Sequence, residues 1–123
     1  MKIRKLGNEG LNVSAIGFGA MSITGFFGPT DDKTSQKCLA SAYDNEIDFF
    51  DTADVYGSGS SEKLIGQFLK ETKAKIKIAT KSGIQTEPIR QFNNSNEYLS
   101  DSLDKSLHRL GVDYVDLFYI HRR

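Results

Sequence analysis

A single cysteine, Cys38, stands among the 123 residues, which excludes an internal disulfide and a cysteine-built metal site. Thiol scarcity of this kind fits a reducing compartment, and a cytoplasmic setting is the expectation. Neither sign of charge is in excess: sixteen Lys and Arg offset sixteen Asp and Glu. No nucleic-acid or membrane-surface partner is therefore expected. Long apolar runs are also missing, since none approaches the about 18 residues of a membrane-spanning helix. The opening MKIRKLGNEGLNV has no apolar h-region of the kind a secretory leader carries. What is present, 38% hydrophobic and 26% charged residues, suits one globular domain over residues 1–123.

Hydrophobic periodicity then switches repeatedly between two residues and about 3.6. KIRKL and LNVSA flank GNEG, whose glycines allow a tight connection, so residues 2–14 read as a β-hairpin. AIGFGA at 15–20 reads as a short buried strand. DDKTSQKCLASAYDN carries Cys38, Leu39, Ala42 and Tyr43 at helical spacing, behind Asp31 and Asp32 at the positive end of the dipole. IDFFD is a strand, SSEKLIGQFLKE a helix with Leu64, Ile65, Phe68 and Leu69 on one stripe, and IKIAT at 76–80 another strand. EYLSDSLDKSLHRLG aligns Leu99, Leu103, Leu107 and Leu110 before Gly111 as a C-cap. YVDLFYI at 114–120 has the continuous apolar character of a parallel strand buried on both faces. A hairpin followed by β-α-β-α-β-α-β predicts a parallel α/β sheet, doubly wound or barrel-shaped.

In such folds the chemistry gathers at the carboxyl ends of the strands. Asp51 and Tyr56 follow IDFF, Lys81 follows IKIAT, and His121 follows YVDLFYI. By strand parity Asp51 shares a face with Phe49 and Ile47, and His121 with Tyr119 and Leu117. A phenol ordinarily holds its proton to about pH 10, too firmly for efficient donation at neutrality. A neighbouring ammonium would ease release, and a carboxylate behind that ammonium would keep it charged. Lys81 and Asp51 are of the types for those places, and His121 for holding a carbonyl oxygen against the phenol. The set suits protonation of a carbonyl oxygen while a nicotinamide hydride reaches carbon.

The stretches FFDTADVYGSGSSEKLIG, IATKSG and DLFYIHR, preceded by IGFGAM, resemble the N-terminal part of the aldo-keto reductases, (β/α)8 TIM-barrel enzymes that reduce aldehydes and ketones with NADPH. The resemblance places that family's catalytic Asp, Tyr, Lys and His on Asp51, Tyr56, Lys81 and His121. It also puts Gly19, Ala20, Met21 and Asp51 near the nicotinamide, and makes the hairpin 1–14 the cap of the barrel bottom. A full barrel takes about 250 residues. Residues 15–123 carry only the first four strands and three helices, so the resemblance implies a partial copy, inactive alone. Its partner would be a small carbonyl compound, with self-association or a complementing half-barrel closing the open sheet edges. Two other roles fit the same residues: an NADPH-holding, channel-associated subunit and an inactive remnant.

Taken singly, each of the four has an ordinary explanation. A tyrosine after a strand packs, a lysine there is solvated, an aspartate caps a turn, and His121 near the chain end is a candidate for fraying. Cys38 reads as a small buried hydrophobe and His108 as a surface residue. GSGSSEK lacks the Gly-Lys-Ser/Thr ending of a phosphate loop and reads as a flexible connection. GFGAMS lacks the third glycine of a dinucleotide fingerprint, which removes support for a Rossmann fold. NNS at 93–95 is a glycosylation triplet without a secretory context. Phe26 and Phe27 in ITGFFGPTDD read either as a substrate wall or as an apolar plug.

Overall fold

The computed structural model covers residues 1–123 and forms a four-stranded parallel sheet with helices on one face and a hairpin beneath it. In the hairpin, β1 (Ile3–Lys5) pairs antiparallel with β2 (Asn12–Ser14), with Ile3 opposite Ser14. It is tied to the sheet reciprocally: Ser14 N–H donates to Asp48 Oδ1 at 2.7 Å, and Asp48 N–H donates to Ser14 Oγ at 3.1 Å. Lys77 closes the junction by an ion pair with Asp48. Burial presses the Asp48 carboxyl upward, but the Lys77 and Ser14 hydrogen bonds outweigh it and hold the group below its ordinary value.

The parallel sheet runs β3 (Phe18–Gly19), β4 (Phe49–Asp51), β5 (Lys77–Ser82) and β8 (Leu117–Ile120), in that spatial order. Helices α1 (Asp32–Asp44), α2 (Ser60–Thr72) and α3 (Asn96–Leu110) make the crossovers. Asp31 caps α1 by accepting from the Thr34 N–H at 2.7 Å. Ser95 caps α3 by accepting from Tyr98 N–H, and Asn93 Oδ1 accepts from Ser95 in turn. The NNS triplet thus has a local structural use as a helix start.

Phe50 is fully buried on the helix face of β4, against Phe18, 5.2 Å away between ring centroids, and stacked on Phe68 of α2 at 6.3 Å. Around it lie Leu39, Ile65, Ile78 and Leu110, all almost without exposure. Gly66 brings α2 and α3 into backbone contact: a Cβ there would lie 2.6 Å from the Arg109 carbonyl oxygen and 2.7 Å from that of Leu110. No helix is long and apolar enough to cross a membrane.

Several expectations are corrected. The strand expected at 15–20 is reduced to Phe18–Gly19, because the chain turns at once into a 3₁₀ helix over Ala20–Thr24. YVDLFYI is not buried on both faces: only Leu117–Ile120 is strand, and Tyr119 and Ile120 are exposed because β8 is an edge strand. The buried face of α3 carries Ser102, Ser106 and Leu110, leaving Leu99, Leu103 and Leu107 half-buried, since small side chains are needed where α3 approaches α2 and β5. Cys38 is exposed, not buried, for Ser35, Leu39 and Ala42 form the inner face of α1. A second hairpin, β6 (Ile84–Gln85) with β7 (Gln91–Phe92), lies unanticipated between β5 and α3.

Candidate active site

Strand parity decides which side chains meet. On the helix face of β5 lie Thr80 and Ser82; on the opposite, concave face lies Lys81, aligned with Tyr119 of β8. Lys81 Nζ donates to Asp51 Oδ2 at 2.8 Å and to the Thr52 carbonyl at 2.6 Å. Its charge also stands 5.0 Å from the centroid of the Tyr56 ring. The Tyr56 ring meets that of His121 edge-on, centroids 5.7 Å apart at 84°. All four expected residues therefore converge at one rim of the sheet. His121 is not frayed, because its backbone N–H donates to the Ser82 carbonyl at 2.7 Å.

The imidazole of His121 is held below its ordinary 6.5, first by burial and then by the positive charges of Lys81 and Arg122, with Asp51 opposing. Its Nδ1 is buried and has no hydrogen-bond partner. Neutral imidazole at neutral pH follows from both facts.

Tyr56 is delivered by a tight, packed turn in place of the flexible connection expected. Gly57, Ser58 and Gly59 take left-handed conformations in succession, at φ of 56°, 52° and 88°. Gly59 is required twice over: besides its φ, a Cβ there would come within 2.7 Å of Arg109 Cδ. Beyond it, the buried Ser61 hydroxyl shares a hydrogen bond with Thr52 Oγ1 at 2.8 Å and donates to the Ala20 carbonyl at 3.1 Å. The glycine-serine run serves this turn.

Sequence reasoning missed the layer that holds the four in place. Glu62 of α2 is fully buried and accepts from the Thr80 hydroxyl and from Arg109 Nε, each at 2.6 Å. Asp54 accepts from the Ser82 hydroxyl at 2.6 Å, while its N–H donates to the Lys81 carbonyl at 3.1 Å. Burial pushes the Asp54 carboxyl up from its ordinary value. Lys81 is thus flanked by two residues pinned from the helix side. One signal was visible: Glu62 falls on the same helical stripe as Ile65 and Leu69, and a carboxylate there needs a buried partner.

Two hollows flank the four residues. The inner one, about 590 Å³, lies on the concave face and is bounded by Gly17, Gly19, Phe49, Asp51, Lys81, Tyr119 and His121 among others. The outer, about 460 Å³, lies under the loops and is bounded by Met21, Phe26, Tyr56, Arg90, His121 and Arg122 among others. His121 borders both. Of the expected cofactor contacts, Gly19 and Asp51 face the inner hollow and Met21 the outer one, while Ala20 is fully buried beneath them. Phe26 and Phe27 are 66% and 75% exposed and pack edge-on against each other, so they form no buried plug.

The model of the Aldo/keto reductase family matches residues 15–123, everything after the first hairpin. The chain belongs to the aldo/keto reductase family. It is 40% identical to the NADP(+) aldo-keto reductase yakc of Schizosaccharomyces pombe, over 97% of this chain and 36% of that protein. It is likewise 40% identical to L-galactose dehydrogenase of Arabidopsis thaliana, over 98% of this chain and 38% of that one. Among solved structures it matches the aldo-keto reductase AKR11C1 of Bacillus halodurans in its holo form, at a TM-score of 0.84 and 34% identity. That match takes in 96% of this chain and 39% of the other. The chain is thus the hairpin and first four strands of a (β/α)8 barrel, and spans between a third and two fifths of the length of these relatives.

Proposed function

We propose that this half-barrel carries the acid-base machinery of an NADPH-dependent reduction of aldehydes and ketones to alcohols. The observation that supports this reading is the convergence of Asp51, Tyr56, Lys81 and His121 from three neighbouring strands on one rim.

The inner hollow fits a nicotinamide ring in chemical character. Phe49 and Tyr119 offer apolar walls, and a Cβ on Gly19 would meet nothing within 4 Å, so that side is open to a flat group. Gly19, Asp51 and Lys81 are the residues that would hold it, with Met21 at the neighbouring edge. NADPH, when bound, supplies a hydride to the carbonyl carbon.

The side chains do the rest. The Tyr56 hydroxyl gives its proton to the carbonyl oxygen as the carbon–oxygen double bond becomes single. The phenolate left behind forms beside the Lys81 ammonium, whose charge offsets it. Asp51 holds that ammonium in place through the 2.8 Å bond. His121, kept neutral by burial and the neighbouring cations, orients the carbonyl without competing as an acid. The lone cysteine fits a cytoplasmic setting for this chemistry.

The test is consumption of NADPH with 4-nitrobenzaldehyde, followed by nicotinamide absorbance, with a complementing half-barrel supplied because the partial copy is expected to be inactive alone. Turnover is expected to fall about a hundred- to ten-thousand-fold in Tyr56→Phe, the range for loss of a general acid. Turnover unchanged in Tyr56→Phe would overturn the assignment of the acid. NADPH bound without any turnover would instead favour the holding role, and neither binding nor turnover the remnant.

A further inference from the structure

The outer hollow has a charge imbalance that the reduction of a plain aldehyde leaves unused. Arg90 and Arg122 both border it, and none of its lining residues is acidic. Neither arginine takes part in any of the chain's five ion pairs. The other arginine near the site, Arg109, by contrast donates to Glu62 and Ser106. Two guanidiniums sharing a cavity repel each other until an anion lies between them. Phe26 and Met21 add apolar wall to the same hollow, and Tyr56 and His121 bring the reacting corner.

We propose that the outer hollow takes carbonyl compounds bearing an anionic group, carboxylate or phosphate, which Arg90 and Arg122 grip while the carbonyl lies at Tyr56 and His121. An apolar body of aromatic size bridges the two ends along Phe26. Guanidinium forks match carboxylate and phosphate oxygens in pairs, which makes arginine better suited than lysine to this task. The orientation of the carbonyl rests on the reductase reading above; the grip on the anion does not.

The experiment measures binding to the full chain by ligand-detected NMR, with and without NADPH. The probes are 4-carboxybenzaldehyde, its uncharged methyl ester and 4-formylphenyl phosphate. The acid is expected to bind about tenfold more tightly than the ester, as one charge-assisted hydrogen-bonded contact provides. Arg90→Gln and Arg122→Gln should each remove most of that ratio while leaving ester binding unchanged, and added salt should weaken the acid alone. Both side chains are exposed, so the fold is expected to survive, with far-UV circular dichroism as the check. Whichever of the acid and the phosphate ester binds more tightly identifies the anion. Tyr56→Phe should leave the acid-to-ester ratio untouched, so a failure of the catalytic reading is separable from a failure here. Equal binding of acid and ester, no binding of any probe, or a preference that survives Arg90→Gln/Arg122→Gln would overturn the proposal.

Discussion

Replacing Arg109 with leucine is expected to destabilise the chain by about 3–5 kcal/mol, the cost of stranding a buried charge. Glu62 has no exposure, and its two oxygens are taken by Arg109 Nε and the Thr80 hydroxyl, each at 2.6 Å. The Arg109 side chain is itself only 20% exposed, so water offers Glu62 little replacement. Removing both charges, in Glu62→Leu/Arg109→Leu, exchanges the pair for apolar packing and takes their partners from the Thr80 and Ser106 hydroxyls. That loss should cost about 1–3 kcal/mol. Adding Thr80→Val should recover part of the remainder. The ladder is read by urea unfolding followed by far-UV circular dichroism, because the chain has no tryptophan. Concentrations are chosen where the midpoint does not move with dilution. With a slope of about 1–3 kcal/mol per molar urea, the single change shifts the midpoint by about 1 M or more. Should the double variant prove no more stable than Arg109→Leu, the loss would come from packing of the arginine stem, and the stranded-charge argument would fail.

Gly66→Ala, which helix propensity alone would favour by about 1 kcal/mol, is expected instead to destabilise by about 1–3 kcal/mol, because its Cβ meets two backbone carbonyls. A raised urea midpoint would refute this. His121 should titrate below its ordinary 6.5 by NMR, and Lys81→Met should bring it back upward. The folded value being depressed, the stability tied to His121 is full above about 6.5 and drains as pH falls through the folded value; a variant His121→Gln should lose that slope, and an unchanged slope would contradict the assignment. With β3 and β8 each lacking an outer neighbour, the 123-residue chain should self-associate at micromolar concentration, seen by analytical ultracentrifugation. A sharp, reversible monomeric unfolding transition there would count against it.

The helices were legible from apolar residues at 3.6 spacing, with Gly111 marking the end of α3, whereas the N-caps Asp31 and Ser95 appear only in the structure. Asp51, Lys81 and His121 were legible because each stands at the end of a β-rich run at a parity that aims it at one face, and Tyr56 because it follows the first of these runs in the loop. The short second hairpin escaped notice, since two-residue strands carry no period. Glu62 and Asp54 escaped because charged residues ordinarily signal solvent, and only the packing of α2 and α3 against the sheet leaves Glu62 buried and Asp54 half-buried. YVDLFYI misled for the converse reason: apolar composition records what a strand is suited to, whereas its burial depends on neighbours, and β8 has only one.

By itself the sequence determined the alternation of strands and helices, the parity that puts Asp51 and Lys81 on one face, and the family, since these are properties of local spacing. Tertiary structure alone decided that Lys81 Nζ lies between Asp51 and Tyr56, that Glu62 is sealed beneath Arg109, and that Arg90 and Arg122 share a hollow without a carboxylate. Those distances join residues about 25 to 50 positions apart along the chain, and contacts over such separations are settled by how helices and strands pack, not by periodicity.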